Sequence, residues 1–165
     1  MVIWPWYIRL IHWGLALIIL LDAFIIEEGD PPHRYLGYIG VGLVLIRFFF
    51  GVFGKGQVRF QEMSIHPRKI LFFLKTHFNR THHFKGHNPL ASLAYYLMWL
   101  DMIALAVTGW MLGTDEYFGD EKIELIHGQL SDFLIALVVI HLIGMTTDAL
   151  LYKRKTWMGM ISGKT

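Results

Sequence analysis

Long apolar runs alternate with short charged ones along this chain. Four runs, at residues 4–26, 33–53, 89–112 and 122–152, are long enough to cross a bilayer as helices, because about 20 helical residues span a hydrocarbon core of about 30 Å. Asn88-Pro89 makes a good start for the third run: Asn can cap a helix and Pro suits its first position. The second and third runs are joined by residues 54–88. Within that connection, residues 67–78 mix Ile70, Leu71, Phe72, Phe73 and Leu74 with Lys69, Lys75 and His77, the pattern of a short helix lying on headgroups. Residues 157–161 carry the same expectation. No soluble domain, internal repeat or low-complexity tract is evident, so the expected fold is one all-α membrane domain over residues 1–165, a four-helix bundle. The opening Met1-Val2-Ile3-Trp4-Pro5-Trp6 puts no basic stretch ahead of its apolar run, so the first span is expected to be retained.

Composition and charge turn these runs into a topology. The 165 residues are 55% hydrophobic and have a mean hydropathy of +0.44. A soluble domain of this size cannot hide so much apolar surface, whereas lipid can take it. The first connection carries Glu27, Glu28 and Asp30, and the third carries Asp115, Glu116, Asp120 and Glu121. The middle connection carries Lys55, Arg59, Arg68, Lys69, Lys75, Arg80 and Lys85, and the tail carries Lys153, Arg154, Lys155 and Lys164. The excess of cations predicts that both termini and residues 54–88 lie in the cytoplasm. The acidic connections then face the periplasm or cell exterior. Trp4, Trp6 and Trp110 are expected in the interfacial aromatic belts. No nucleic-acid partner is expected.

There is no cysteine, which excludes disulfides, iron–sulfur ligation, thiolate nucleophiles and the attachment motif of c-type haem. Nine histidines remain. Four of them, His12, His33, His127 and His141, lie in or at the ends of spans, where ionisable groups are costly and mark function. His127 and His141 are 14 residues apart on the fourth span. That spacing falls roughly 40° short of four helical turns, so both face nearly the same side, about 21 Å apart along the axis. Chain direction sets the other two depths. His12 lies early in an outward-running helix, on the cytoplasmic side, and His33 opens an inward-running one, on the outer side. Depth alone pairs His33 with His127 and His12 with His141.

Two imidazoles at one depth suit the axial positions of a haem iron and leave no open coordination site, which favours electron transfer. Zinc, which wants about four ligands at one point, fits less well. Arg47 follows His33 by 14 residues, at the cytoplasmic depth, and Arg9 lies one turn before His12. Both are candidates to pair with the propionates of an inner haem. Arg34 and Lys122 are the outer-side cations and candidates for the outer propionates. Gly37, Gly40, Gly42 and Gly128 would let a macrocycle or a neighbouring helix approach closely.

The ordered pieces Arg9-Leu10-Ile11-His12-Trp13, His33-Arg34-Tyr35-Leu36-Gly37-Tyr38, Arg47-Phe48 with Gly51, Val58-Arg59-Phe60, Gly86-His87-Asn88-Pro89-Leu90-Ala91, Thr108-Gly109, His127, His141 and Met160-Ile161-Ser162-Gly163-Lys164 cover nearly the whole chain. In them the sequence resembles the bacterial di-haem b-type cytochromes that serve as membrane subunits of nickel–iron hydrogenases and formate dehydrogenases. It is closer still to short relatives encoded beside c-type cytochromes. The resemblance implies two haem b groups held by His12, His33, His127 and His141, with no ligand from the third span. It also implies quinone chemistry near the inner haem and a periplasmic redox partner, within a larger complex. The very short first connection and the absence of extra helices favour a c-type cytochrome over an oxidoreductase as that partner. His87 and Asn88 fall in a family motif as candidate contacts to an inner propionate or quinone, with helix capping as the alternative.

The other polar residues get plainer readings. His66, His77, His82 and His83 are expected to be solvated or at headgroups. Asp22, Asp101, Asp132 and Asp148 lie within spans, and Asp101 is expected to be a protonated carboxyl bonded to a neighbour rather than part of a proton route. The alternative to an electron-transfer subunit is a haem-containing anchor for a respiratory complex. A transporter is disfavoured because four spans show no paired discontinuous helices.

Overall fold

The computed structural model describes residues 4–76, 88–152 and 157–163. Four long helices dominate: α1 (Trp6–Phe24), α2 (Pro31–Phe53), α4 (Pro89–Leu112) and α5 (Glu121–Tyr152), each long and apolar enough to cross a membrane. Two short helices accompany them, α3 (Pro67–Thr76) and α6 (Met158–Ser162), with two 3-10 turns at Gly56–Val58 and Phe60–Glu62. The described residues contain no strand.

The ends of the helices follow their local chemistry. α2 starts earlier than its apolar run does, because Pro31 and Pro32 take its first positions and Asp30 precedes them in extended conformation. Proline loses nothing there, since a first-turn N–H has no partner in the helix. The Asn88 side chain accepts the Leu90 N–H at 2.9 Å and caps α4. The Asp120 carboxylate accepts the N–H groups of Lys122 and Ile123 at 2.9 and 3.2 Å, which opens α5 one residue before the predicted Lys122. α1 is trimmed at both ends relative to residues 4–26.

In the bundle α1 packs on α2, α2 on α4, and α4 along the length of α5. α5 has no comparable packing against α1 or α2, so the side of the bundle between them stays loosely joined. A small core of Ile11, Leu15, Val44, Trp99, Met102 and Leu134 holds the four spans together. Outward faces stay apolar, with Leu17, Phe24, Ile39, Phe49, Leu100, Val107 and Ile143 all exposed. Such faces are suited to lipid.

The end of the bundle beyond α2 holds more regular structure than its sequence suggests. The two 3-10 turns fold residues 56–63 back under α2, burying Val58 and Met63. The Phe60 ring lies directly on Gly51, where any Cβ would overlap it. The tail helix α6 does not merely rest on headgroups: it docks onto α1. The Trp4 N–H donates to Gly163 O at 2.8 Å, Trp13 Nε1 donates to Met160 O at 2.9 Å, and an Arg9 Nη1 donates to Ile161 O. A Gly51→Val substitution therefore expels Phe60 and loosens the turns beneath Arg47. The expected cost is about 1–3 kcal/mol, the usual range for overpacking, read as a lower thermal unfolding midpoint in detergent. An unchanged midpoint would mean the turns are not anchored at Gly51.

Candidate cofactor site

The two histidines of α5 sit on one uninterrupted helix, so its geometry fixes them on nearly one side about 21 Å apart. Each meets a histidine from another span.

At the end of the bundle nearest the α1–α2 connection, the early prolines of α2 place His33 in its first turn. The His33 and His127 rings lie with centroids 6.1 Å apart and planes at 75°. All four spans line the cavity around them: Ile18 and Asp22 from α1, His33 and Arg34 from α2, Met102, Leu105 and Gly109 from α4, His127 and Leu134 from α5. Thr108 Oγ1 lies 2.8 Å from His127 Nδ1 and 2.9 Å from Ala104 O. With the hydroxyl proton given to Ala104 O, its lone pair can accept Nδ1–H of His127. That tautomer leaves Nε2 of His127 as a free base, the form a metal binds. Gly109, one residue on, allows this approach, since a Cβ there would stand 3.3 Å from the His127 ring. Asp22 Oδ1 lies 3.6 Å from His33 Nδ1. Arg34 reaches the end of α4, close to Gly113.

At the opposite end of the bundle, His12 lies within electrostatic reach of His141. The Tyr95 ring meets His141 edge-on at 5.5 Å, and His12 Nδ1 is buried without a hydrogen-bond partner among the described residues. Arg47 is 5% exposed. Its guanidinium lies 5.0 Å from the Trp99 ring centre and 5.6 Å from that of Phe60, and Nη2 donates to Met63 Sδ at 3.5 Å. Arg47 Nη1 is buried and unpaired, as is Arg9 Nε.

Other sequence candidates fall elsewhere. Asn88 spends its side-chain oxygen on the α4 cap. His87, His77, His82 and His83 lie outside the described residues. His66 is exposed, and its Nδ1 accepts the Arg68 N–H at 3.3 Å. Gly40 faces Met102 and Ile18 and serves helix packing, whereas a Cβ at Gly37, in the cavity wall, would meet nothing. The expected bond to Asp101 is not made: the carboxyl is buried and neither oxygen has a partner among the described residues. An acid in the middle of a span has few donors near it, because neighbouring N–H groups are used by their own helices. Sequence reasoning took Thr108 only as part of a family piece and gave Asp22 no role. Their further signal is depth, as both lie near the ends of their spans, level with His33 and His127.

Among the described residues, no three His, Asp or Glu side chains gather to hold a bare metal ion. Paired imidazoles suit an iron whose other positions a macrocycle fills. A metal–imidazole bond is about 2 Å and a ring nitrogen lies about 1 Å from the ring centre, so two axial rings stand about 6 Å apart. The 6.1 Å between His33 and His127 meets that requirement. The family model described as "Prokaryotic cytochrome b561" matches residues 3–163. The chain belongs to the prokaryotic cytochrome b561 family. As a member it is a multi-pass membrane protein, in contact with lipid, that binds haem b and takes part in electron transfer. Comparisons with curated proteins and with solved structures gave no match. The loosely joined side of the bundle, the free-base nitrogen of His127, the apolar lining and the unpaired donors of Arg47 all fit a flat, iron-containing, anionic ligand.

Proposed function

We propose that this cytochrome holds two haem b groups, one between His33 and His127 near the outer face and one between His12 and His141 near the inner face. In this reading it carries electrons across the membrane, between the quinone pool and a periplasmic redox partner. The observation that carries the reading is the approach of the His33 and His127 rings, 6.1 Å apart, with Thr108 holding one of them by Nδ1.

Each bound haem supplies a one-electron ferric/ferrous couple. The protein's residues do the rest. Two imidazoles per site leave no position for oxygen. The apolar walls exclude water, which limits the rearrangement that accompanies each change of charge. Arg47 and Arg9 offer donors to the inner propionates, and Arg34 offers its guanidinium to the outer ones. Tyr95 packs the inner ligand from α4, a helix that contributes shape rather than ligands. In this reading both termini and residues 54–88 lie in the cytoplasm, on the side of the inner site, nearest to which a quinone would react. A groove lined by Glu28, Glu121, Glu124 and Asp132 lies beside the outer site, and the partner proposed to meet it is a c-type cytochrome or the electron-transferring subunit of an oxidoreductase, within a larger complex.

The test is stoichiometry. The purified chain should carry two haems per polypeptide by pyridine haemochrome assay, both six-coordinate and low-spin. One haem, or none, after expression with ample haem supply would contradict the reading.

A further inference from the structure

Asp22 is not used by the reading above, yet it faces the outer site. It lies two residues before the end of α1, where a short turn would bring it to water. Its side chain is instead only 17% exposed, and its Oδ1 lies 3.6 Å from Nδ1 of His33, which is 23% exposed. Both atoms are buried and neither has a hydrogen-bond partner. Asp22 lines the same cavity as His33 and His127. The two imidazoles of the outer pair are therefore backed unequally. His127 has the neutral hydroxyl of Thr108, and His33 has a carboxylate. The outer cavity thus carries Asp22 beside the cation Arg34, whereas the built-in charges of the inner half are cations alone: buried Arg47, and Arg9 one turn from His12.

We propose that Asp22 is a positioning residue of the outer site, accepting the Nδ1 proton of His33, turning its Nε2 toward the cavity, and holding the outer haem at a lower potential than the inner one. The inference rests on the two-haem reading. A carboxylate that accepts the far N–H of a metal-bound imidazole fixes its tautomer and raises its basicity. A more basic ligand and a nearby anion both favour ferric over ferrous iron, and in an apolar slot the anion is poorly screened. A 3.6 Å gap closes with a small rotation of either side chain. A hydroxyl such as that of Thr108 orients its ring without the charge. With cations around the inner site, the two potentials separate in a fixed order.

The test uses the full chain with both haems, in detergent, by redox titration and by electron paramagnetic resonance of the ferric haems. Asp22→Asn keeps the shape and an acceptor but removes the charge. The outer midpoint should rise while the inner one stays, and the low-spin signal of the outer haem should shift. Asp22→Glu keeps the charge and should leave the outer midpoint nearer to wild type. The outer haem is identified as the one absent from His127→Ala. Two haems with unmoved midpoints in Asp22→Asn would overturn this inference and leave the two-haem reading intact. Equal shifts in the Asn and Glu variants would also overturn it, because charge would then not be the cause. If Asp22→Asn fails to assemble, the Glu variant decides alone: a midpoint far from wild type counts against the proposal. A wild-type chain with fewer than two haems would instead overturn the underlying reading.

Discussion

If two haems are held as proposed, replacing His127 with Ala should halve the haem content and leave the inner haem spectrally intact, and His141→Ala should do the reverse. The prediction follows from the separation of the two sites. α5 runs unbroken from Glu121 to Tyr152, and Ala is the best helix former, so either substitution keeps the scaffold. The sites lie about 21 Å apart along that helix. Their supporting residues do not overlap: Thr108, Gly109 and Arg34 belong to the outer pair, Tyr95 and Arg47 to the inner. Effects at sites so far apart with no shared partner are expected to add, so the double variant should hold no haem. Haemochrome assay and reduced-minus-oxidised spectra on matched amounts of protein give the answer. Loss of both haems from each single variant, with helical content preserved, would show one coupled site instead of two.

The pairing logic behind that prediction needed only the sequence. Span positions and loop charges set depths, and depth sorts four histidines into two couples, because a bilayer makes depth a one-dimensional coordinate that chain direction fixes; the His33 and His127 rings lie 6.1 Å apart. Whatever depends on approach across the bundle was not legible. Arg9 reads as a propionate candidate, yet one of its donors goes to Ile161 O, 152 residues away; no local pattern announces so distant a contact. Residues 56–63 read as part of a loop because their apolar residues are few and irregularly spaced, and their burial depends on the missing Cβ of Gly51 in another element. Thr108 lies within an apolar run, where threonine ordinarily bonds its own helix. Only the position of α5 turns its second lone pair toward His127. The start of α2 was misjudged because hydropathy locates the apolar stretch, whereas Asp30, Pro31 and Pro32 locate the backbone.

Arg47→Met should act with opposite signs on the haem-free and haem-loaded protein. Arg47 is buried at 5% exposure with no acidic partner among the described residues, where Nη1 also makes no hydrogen bond. Leaving one charge of a buried pair uncompensated costs about 3–5 kcal/mol. Contacts of the guanidinium with Trp99 and Phe60 return about 0.5–2 kcal/mol each. The haem-free protein thus carries a net penalty that a methionine of similar length removes, and its unfolding midpoint should hold or rise. The loaded protein should lose a charge-assisted hydrogen bond to an inner propionate, worth about 1.5–3 kcal/mol, or about 10- to 100-fold in haem affinity at about 1.4 kcal/mol per decade. Haem retention during dialysis against apomyoglobin, followed separately for each haem, should fall for the inner one alone. If Arg47 serves only to pack Trp99, Phe60 and Met63, the signs differ: the haem-free protein weakens and both haems are retained as in wild type. A cation kept in an apolar site at such cost needs an anion to answer it, and in the two-haem reading an inner propionate is that anion.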